Sequence, residues 1–160
     1  MEIYTVSFFG HRQLDDFFRA ERRLEKLIRE LLSKKEYVEF LVGRNGDFDQ
    51  LAASTVLRLK RTVRDDNSSL VLVLPYLTAE YAGNRDSFEN YYDEIEISQA
   101  AAGSHFRSAI QTRNREMVDR SDFVICCIER DRGGAYQTMQ YALKQGKKLT
   151  NIAGMLDDII

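Results

Sequence analysis

Tryptophan is absent from this 160-residue chain, proline occurs once and cysteine twice. The two cysteines, Cys126 and Cys127, are neighbours inside an apolar run. Adjacent strand side chains point to opposite faces, so the pair is badly placed for a disulfide. It reads as two reduced packing residues. No apolar run reaches the length of a membrane span, and Met1-Glu2-Ile3-Tyr4 does not open a secretion signal. These features predict a cytoplasmic protein. An excess of positive charge is also missing, since the formal net charge is −2. Proteins that hold nucleic-acid backbone usually carry a basic field, so the balance argues against DNA or RNA as a partner. No cysteine–histidine cluster has zinc spacing, and Asp47-x-Asp49 alone is no metal site. No GxxxxGK[ST] sequence is present, which argues against ATP hydrolysis of that kind. Neither a metal nor a cofactor is expected.

What is present is ordinary globular composition, 44% hydrophobic and 30% charged. The length favours one domain over 1–160. Apolar runs predict strands at Ile3–Phe9, Val38–Val42, Ser69–Leu74, Phe123–Ile128 and Leu149–Ala153. Amphipathic stretches predict helices over Phe17–Leu32, from Asp47 to near Arg64, and from Gly134 to near Gln145. Nearly continuous apolar strands between helices argue for a parallel sheet covered on both faces. The expected fold is a single Rossmann-like α/β domain with a sheet of about five strands. The first strand should be central, flanked by Val38–Val42 and Phe123–Ile128. The stretch from Pro75 to Gly103 is too long for an ordinary crossover loop. It holds Tyr76, Tyr81, Phe88, Tyr91 and Tyr92, then a strand-like Glu94–Ile97. Those aromatics read as core or interface before a base-stacking platform, and they suggest a homo-oligomer, with a dimer as the expected form.

Three turns follow apolar strands and should share one edge of the sheet. They are Phe9-Gly10-His11-Arg12, Gly43-Arg44-Asn45-Gly46-Asp47-Phe48-Asp49, and Arg132-Gly133-Gly134-Ala135-Tyr136-Gln137-Thr138. In an open parallel sheet ligands bind beyond the strand carboxyl ends. Glycines there allow close backbone approach, and a helix N-terminus offers free N–H groups to an anion. Phe106, Ile110, Arg113 and Met117 fall on one helical stripe, so Arg113 is expected on a buried face. A buried guanidinium needs a partner, either a carboxylate or a ligand phosphate. Asp47 could cap its helix, and Asp49 could orient a ribose hydroxyl or favour the helix dipole. His11 is a pocket residue or a catalytic base. His105, Glu129, Asp131, Asp157 and Asp158 read as solvated.

The chain resembles the SLOG superfamily, the Rossmann-like group that contains the DprA and LOG proteins, and is most similar to its YpsA-like branch. Arg113-Asn114-x-x-Met117, a strand, then Gly133-Gly134 and Thr138 is similar to the LOG pattern RKxxM, strand, PGGxGTxxE. Gly43 to Ala52 is similar to GGAxGFDxLA, and Phe9-Gly10-His11-Arg12 to an FxGxR strand end. The resemblance implies a nucleotide-type ligand, such as an ADP-ribose-like molecule, held by Gly10, His11, Arg12, Gly43, Arg44, Asn45, Gly46, Asp49, Arg113, Gly133, Gly134 and Thr138. LOG enzymes hydrolyse a nucleotide N-glycosidic bond with the motif's arginine and its final glutamate. Arg113 matches the arginine. Thr138 is followed by Met139-Gln140-Tyr141, so the glutamate is missing. A carboxylate handles the proton in such chemistry. The first expectation is therefore ligand binding without turnover, as a sensor, regulator or sequestering protein, and the alternative is hydrolysis. Asp47, Asp49, Glu80 or Glu129 pointing into the pocket near Arg113 would favour the alternative.

Overall fold

The computed structural model describes residues 1–155. The reading of Asp157 and Asp158 as solvated lies outside the described residues. The chain runs β1 (Ile3–Gly10), α1 (Phe17–Lys34), β2 (Tyr37–Val42), α2 (Asp47–Thr62), β3 (Ser68–Leu74), α3 (Ala79–Gly83), α4 (Arg85–Tyr91), β4 (Glu94–Ile97), α5 (Phe106–Arg120), β5 (Phe123–Cys127), α6 (Gly134–Lys144) and β6 (Lys148–Asn151). The six strands form one parallel sheet in the order β4-β3-β2-β1-β5-β6.

The apolar runs explain the layers. β3 is buried from end to end, as a strand covered on both faces should be. Phe8 and Phe9 are neighbours on β1, and the strand's alternation sends them into different cores. Phe8 packs with Phe40, Phe48 and the α1 residues Leu24 and Ile28. Phe9 packs on the other face with Leu41, Met117, Val124 and Cys126. Asp16 starts α1 by accepting the Arg19 N–H, and Ala20, Leu24, Ile28, Leu31 and Leu32 form its buried stripe. Each fully buried large aliphatic there contributes about 1.5–3 kcal/mol. Cys126 and Cys127 are free and buried, and burial pushes the Cys127 thiol up to about 11 and that of Cys126 higher still. They are packing residues, as expected.

Two sequence expectations gain detail and two need correction. The sheet has six strands, because Glu94–Ile97 pairs in parallel with β3. The Pro75–Gly103 stretch also holds two short helices, α3 and α4. Phe106 begins α5 but is 68% exposed, and the buried face of that helix is Ala109, Arg113, Asn114, Met117 and Val118. Phe106 instead meets the Tyr76 ring, centroid to centroid at 5.5 Å. Gly46 occupies the cap position of α2, while the Asp47 carboxylate accepts the Leu14 N–H at 3.1 Å.

Strand order decides where a ligand can sit. From β1 the sheet grows outward through β2 and β3 to β4. α5 then recrosses, and β5 pairs with the opposite side of β1. The direction of winding switches between β1 and β5, which opens a crevice at their carboxyl ends. Gly10 and Cys127 are paired at that point.

Candidate functional site

A cleft of about 600 Å³ lies at this switch. Gly10, His11 and Arg12 enter it from β1, Gly43, Asn45 and Asp49 from the turn after β2, and Arg113 from α5. Gly133 and Gly134 close it from the turn before α6.

Arg113 is the largest of the fully buried side chains, at 1% exposure. Its Nη1 donates to the Val73 carbonyl at 2.7 Å and its Nε to Asn114 Oδ1 at 2.9 Å. Among the described residues Nη2 makes no hydrogen bond, and no carboxylate lies within ion-pair distance. Burial pulls the guanidinium down from its ordinary value, against the nearby charge of Asp49. The guanidinium is thus held in place by neutral oxygens, with the Asp49 carboxyl as a nearby opposing charge that does not touch it.

Gly43 is where Arg113 and Asp49 approach each other. A Cβ on Gly43 would stand 3.1 Å from Asp49 Oδ2 and 3.1 and 3.2 Å from the two terminal nitrogens of Arg113. Asp49 lines the cleft and is partly buried as a residue. Burial pushes its carboxyl above the usual carboxylate range, against the N–H of Asn45 at 2.8 Å and the charge of Arg113. It is the one of the four candidate carboxylates that lines the cleft beside Arg113. Glu80 pairs instead with Arg44, Glu129 is exposed and bonded to Asp15, and Asp47 serves Leu14.

The turn before α6 has Gly133 at φ +95°, and no side chain caps the helix. The first N–H groups of α6 therefore stay open. A relay ties this turn to the arginine. Asn114 accepts from Arg113 through Oδ1 and donates through Nδ2 to Thr138 Oγ1 at 3.0 Å. Thr138 donates in turn to the Gly134 carbonyl at 3.0 Å, and Gln111 Nε2 reaches the same carbonyl at 3.1 Å. The spacing Arg113-Asn114 to Gly133-Gly134 and Thr138 is thus one connected piece of structure.

Three predicted site residues do not line the cleft. Thr138 is buried and acts through the relay. Gly46 packs against the backbone of Arg12, where a side chain would collide. Arg44 turns to the other side of its loop, donating to Glu80 and to the Tyr92 hydroxyl. His11 lines the cleft but its Nε2 is occupied, accepting the N–H groups of Glu129 and Arg130, both at 3.1 Å. It is a latch on the loop after β5, and that nitrogen cannot serve as a free base. Burial and then Arg130 hold its pKa below the ordinary value, against Asp15. His105, read as a bare surface residue, has a role, because its Nδ1 accepts the Arg107 N–H and starts α5. Sequence reading placed Arg132 in the diglycine turn but missed Arg130 and Gln111, and all three line the cleft. An arginine just before that turn was the available signal for Arg130. Gln111, two residues before Arg113 on a helix, gave none. Among the described residues no group of three or more histidine, cysteine or carboxylate side chains could hold a metal ion.

No family model and no curated protein matches the chain. Solved structures do. DNA processing protein A (DprA) from Streptococcus pneumoniae superposes over 92% of this chain with a TM-score of 0.67 and 18% identity. DprA from Helicobacter pylori superposes over 91% with a TM-score of 0.62 and 18% identity. The chain spans 49% and 63% of those two proteins. The Rossmann-like fold expected from the SLOG resemblance is therefore present. One expectation is overturned. The Helicobacter protein is described by its single-stranded DNA binding mode, so net charge does not argue nucleic acid away for this fold. The physical reason is local: Arg12, Arg113, Arg130 and Arg132 line one cleft in a chain whose overall charge is −2. No helix among the described residues is long and apolar enough to cross a membrane.

Proposed function

We propose that the cleft binds the phosphate of a nucleotide-type ligand, an adenine nucleotide or ADP-ribose-like molecule, and that the protein works as its sensor, regulator or sequestering partner. One observation carries the reading. Arg113 is 1% exposed, lacks a contacting carboxylate among the described residues, and is tied by Asn114 and Thr138 to an uncapped helix N-terminus. A phosphate placed between them receives charge-assisted hydrogen bonds from the guanidinium and the open N–H groups. A phosphate within single-stranded DNA offers the same oxygens, in keeping with the DprA-like fold. The sequence motifs alone support the YpsA-like branch in this reading.

Asp49 favours a second reading, hydrolysis of a nucleotide N-glycosidic bond. It is a carboxyl with a raised pKa on a residue that lines the cleft near Arg113, which is a condition a general acid must meet. Mass spectrometry of small molecules released from the purified protein tests the first reading, with an adenine nucleotide or ADP-ribose-type mass expected. Incubation with AMP, NAD and ADP-ribose separates the two. No base release is expected. Sustained turnover that is lost in Asp49→Asn and in Arg113→Ala would replace binding by hydrolysis.

A further inference from the structure

A second depression, of about 310 Å³, lies on the other side of the β2–α2 turn. Gly43 and Asn45 line the main cleft, and Arg44 between them lines this one. The turn is a shared wall. The rest of the depression is Gln50 of α2 with Ser87, Phe88, Tyr91 and Tyr92 at α4.

Its chemistry differs from that of the main cleft. The Arg44 guanidinium sits 4.7 Å from the Phe88 ring centroid. Its edge donates to Glu80 at 2.8 Å and to the Tyr92 hydroxyl at 2.9 Å. Burial pulls its pKa down, but the hydrogen bonds to Glu80 and Tyr92 together with their charges raise it on balance. With Glu80 in place the charge is compensated, so a second phosphate gains little here. What remains available are the Tyr91 ring and the exposed part of the Arg44 guanidinium. Phe88 and Tyr92 are buried, whereas Tyr91 is 40% exposed and stands edge-on to Tyr92 at 4.9 Å. Gln50 and Ser87 are exposed beside them and can both donate and accept hydrogen bonds. Flat aromatic and guanidinium faces with adaptable polar edges suit a nucleobase.

We infer that this depression is a stacking site for a second nucleobase, so that the preferred ligand carries two bases joined through phosphate. The inference rests on the phosphate reading of the main cleft. Two sources share this chemistry, a dinucleotide of the NAD type and two consecutive nucleotides of a single strand. Calorimetric titration separates them with matched pairs: NAD against ADP-ribose, and a 5′-phosphorylated deoxyadenosine dinucleotide against the mononucleotide. The two-base member of at least one pair should bind about ten-fold more tightly, the scale of one base–aromatic stack. The pair that shows the gain identifies the source. Tyr91→Ala should remove the gain and leave one-base affinity unchanged, while Tyr91→Phe should keep it. Equal affinities within both pairs, or a gain that survives Tyr91→Ala, overturn the stacking site. If the one-base ligands bind through Arg113 but show no second-base gain, only this inference falls. If they do not bind at all, the phosphate reading falls with it.

Discussion

Arg113 shows how a single residue can be legible from sequence while its long-range contact is not. Its place on the buried stripe of a helix announced a charge in need of a partner. Its partner Val73 could not be read, because the two meet only when α5 packs across the sheet, whereas Asn114 is the next residue along the helix. His11 was legible as a pocket residue, but its latch on two backbone N–H groups was not, since the partners lie 118 and 119 residues away. The latch predicts a pH effect. His11 has a folded pKa below its unfolded value. As pH falls, the unfolded state takes up the proton first, so this stabilisation is whole above pH about 6.5 and lost as pH falls through the folded value. Glu129 works with the opposite sign at lower pH. The carboxyl of Asp15 bonded to it raises its pKa, so its contribution is present below the unfolded value and lost as pH rises through the folded one. An NMR titration should show a His11 midpoint below 6.5, with the Glu129 and Arg130 amides shifting in step. A midpoint at or above 6.5 would contradict the latch.

Among the strands, those buried on both faces were the plainest in sequence. β1, β2, β3 and β5 are apolar runs because helices cover them twice. β4 was harder, since it is an edge strand whose Glu94-Ile95-Glu96-Ile97 stays partly open to solvent. α3 and α4 have five and seven residues, too few to show a helical period. The joint between α5 and α6 is the element-scale device of the site. Thr138→Val keeps the shape of the side chain but leaves Asn114 Nδ2 without its partner, which costs about 1–3 kcal/mol. Thermal melting should fall, phosphate affinity should weaken with it, and Thr138→Ser should restore both. Unchanged affinity in Thr138→Val would show that the relay does not position Arg113. Gly133→Ala forces an alanine into φ +95°, a strain of about 1–3 kcal/mol. Denaturant unfolding should register a loss of that size, and none would mean that the turn relaxes freely.

For the whole molecule, the net charge of −2 was the misleading quantity. A sum over 160 residues says little about a cleft lined by four arginines. Association is a further whole-molecule property. Tyr76 and the exposed Phe106 meet near the carboxyl end of β3, and Leu77 is half exposed beside Tyr76 in the chain. We propose that this apolar surface supports a homodimer. Light scattering should give a mass that rises with concentration towards twice 18.6 kDa, and Phe106→Ser should lower it. A monomer mass at every concentration would contradict a dimer.

The central claim is that Arg113 and the open end of α6 hold a phosphate together. Its most direct test is calorimetric titration of AMP into the wild type, Arg113→Ala and Arg113→Lys, with melting curves recorded without ligand. Removing the guanidinium should cost about 1.5–3 kcal/mol of binding, roughly ten- to hundred-fold in affinity. Lysine should restore only part, because an ammonium lacks the planar fork of donors. Arg113→Ala should also melt earlier, since Val73 and Asn114 lose a buried donor. Lysine variants that still melt as folded proteins make the affinity comparison independent of that loss. Saturable AMP binding that weakens in this order is the predicted result. AMP binding of equal strength in wild type and Arg113→Ala, or no AMP binding by the wild type, would contradict the account.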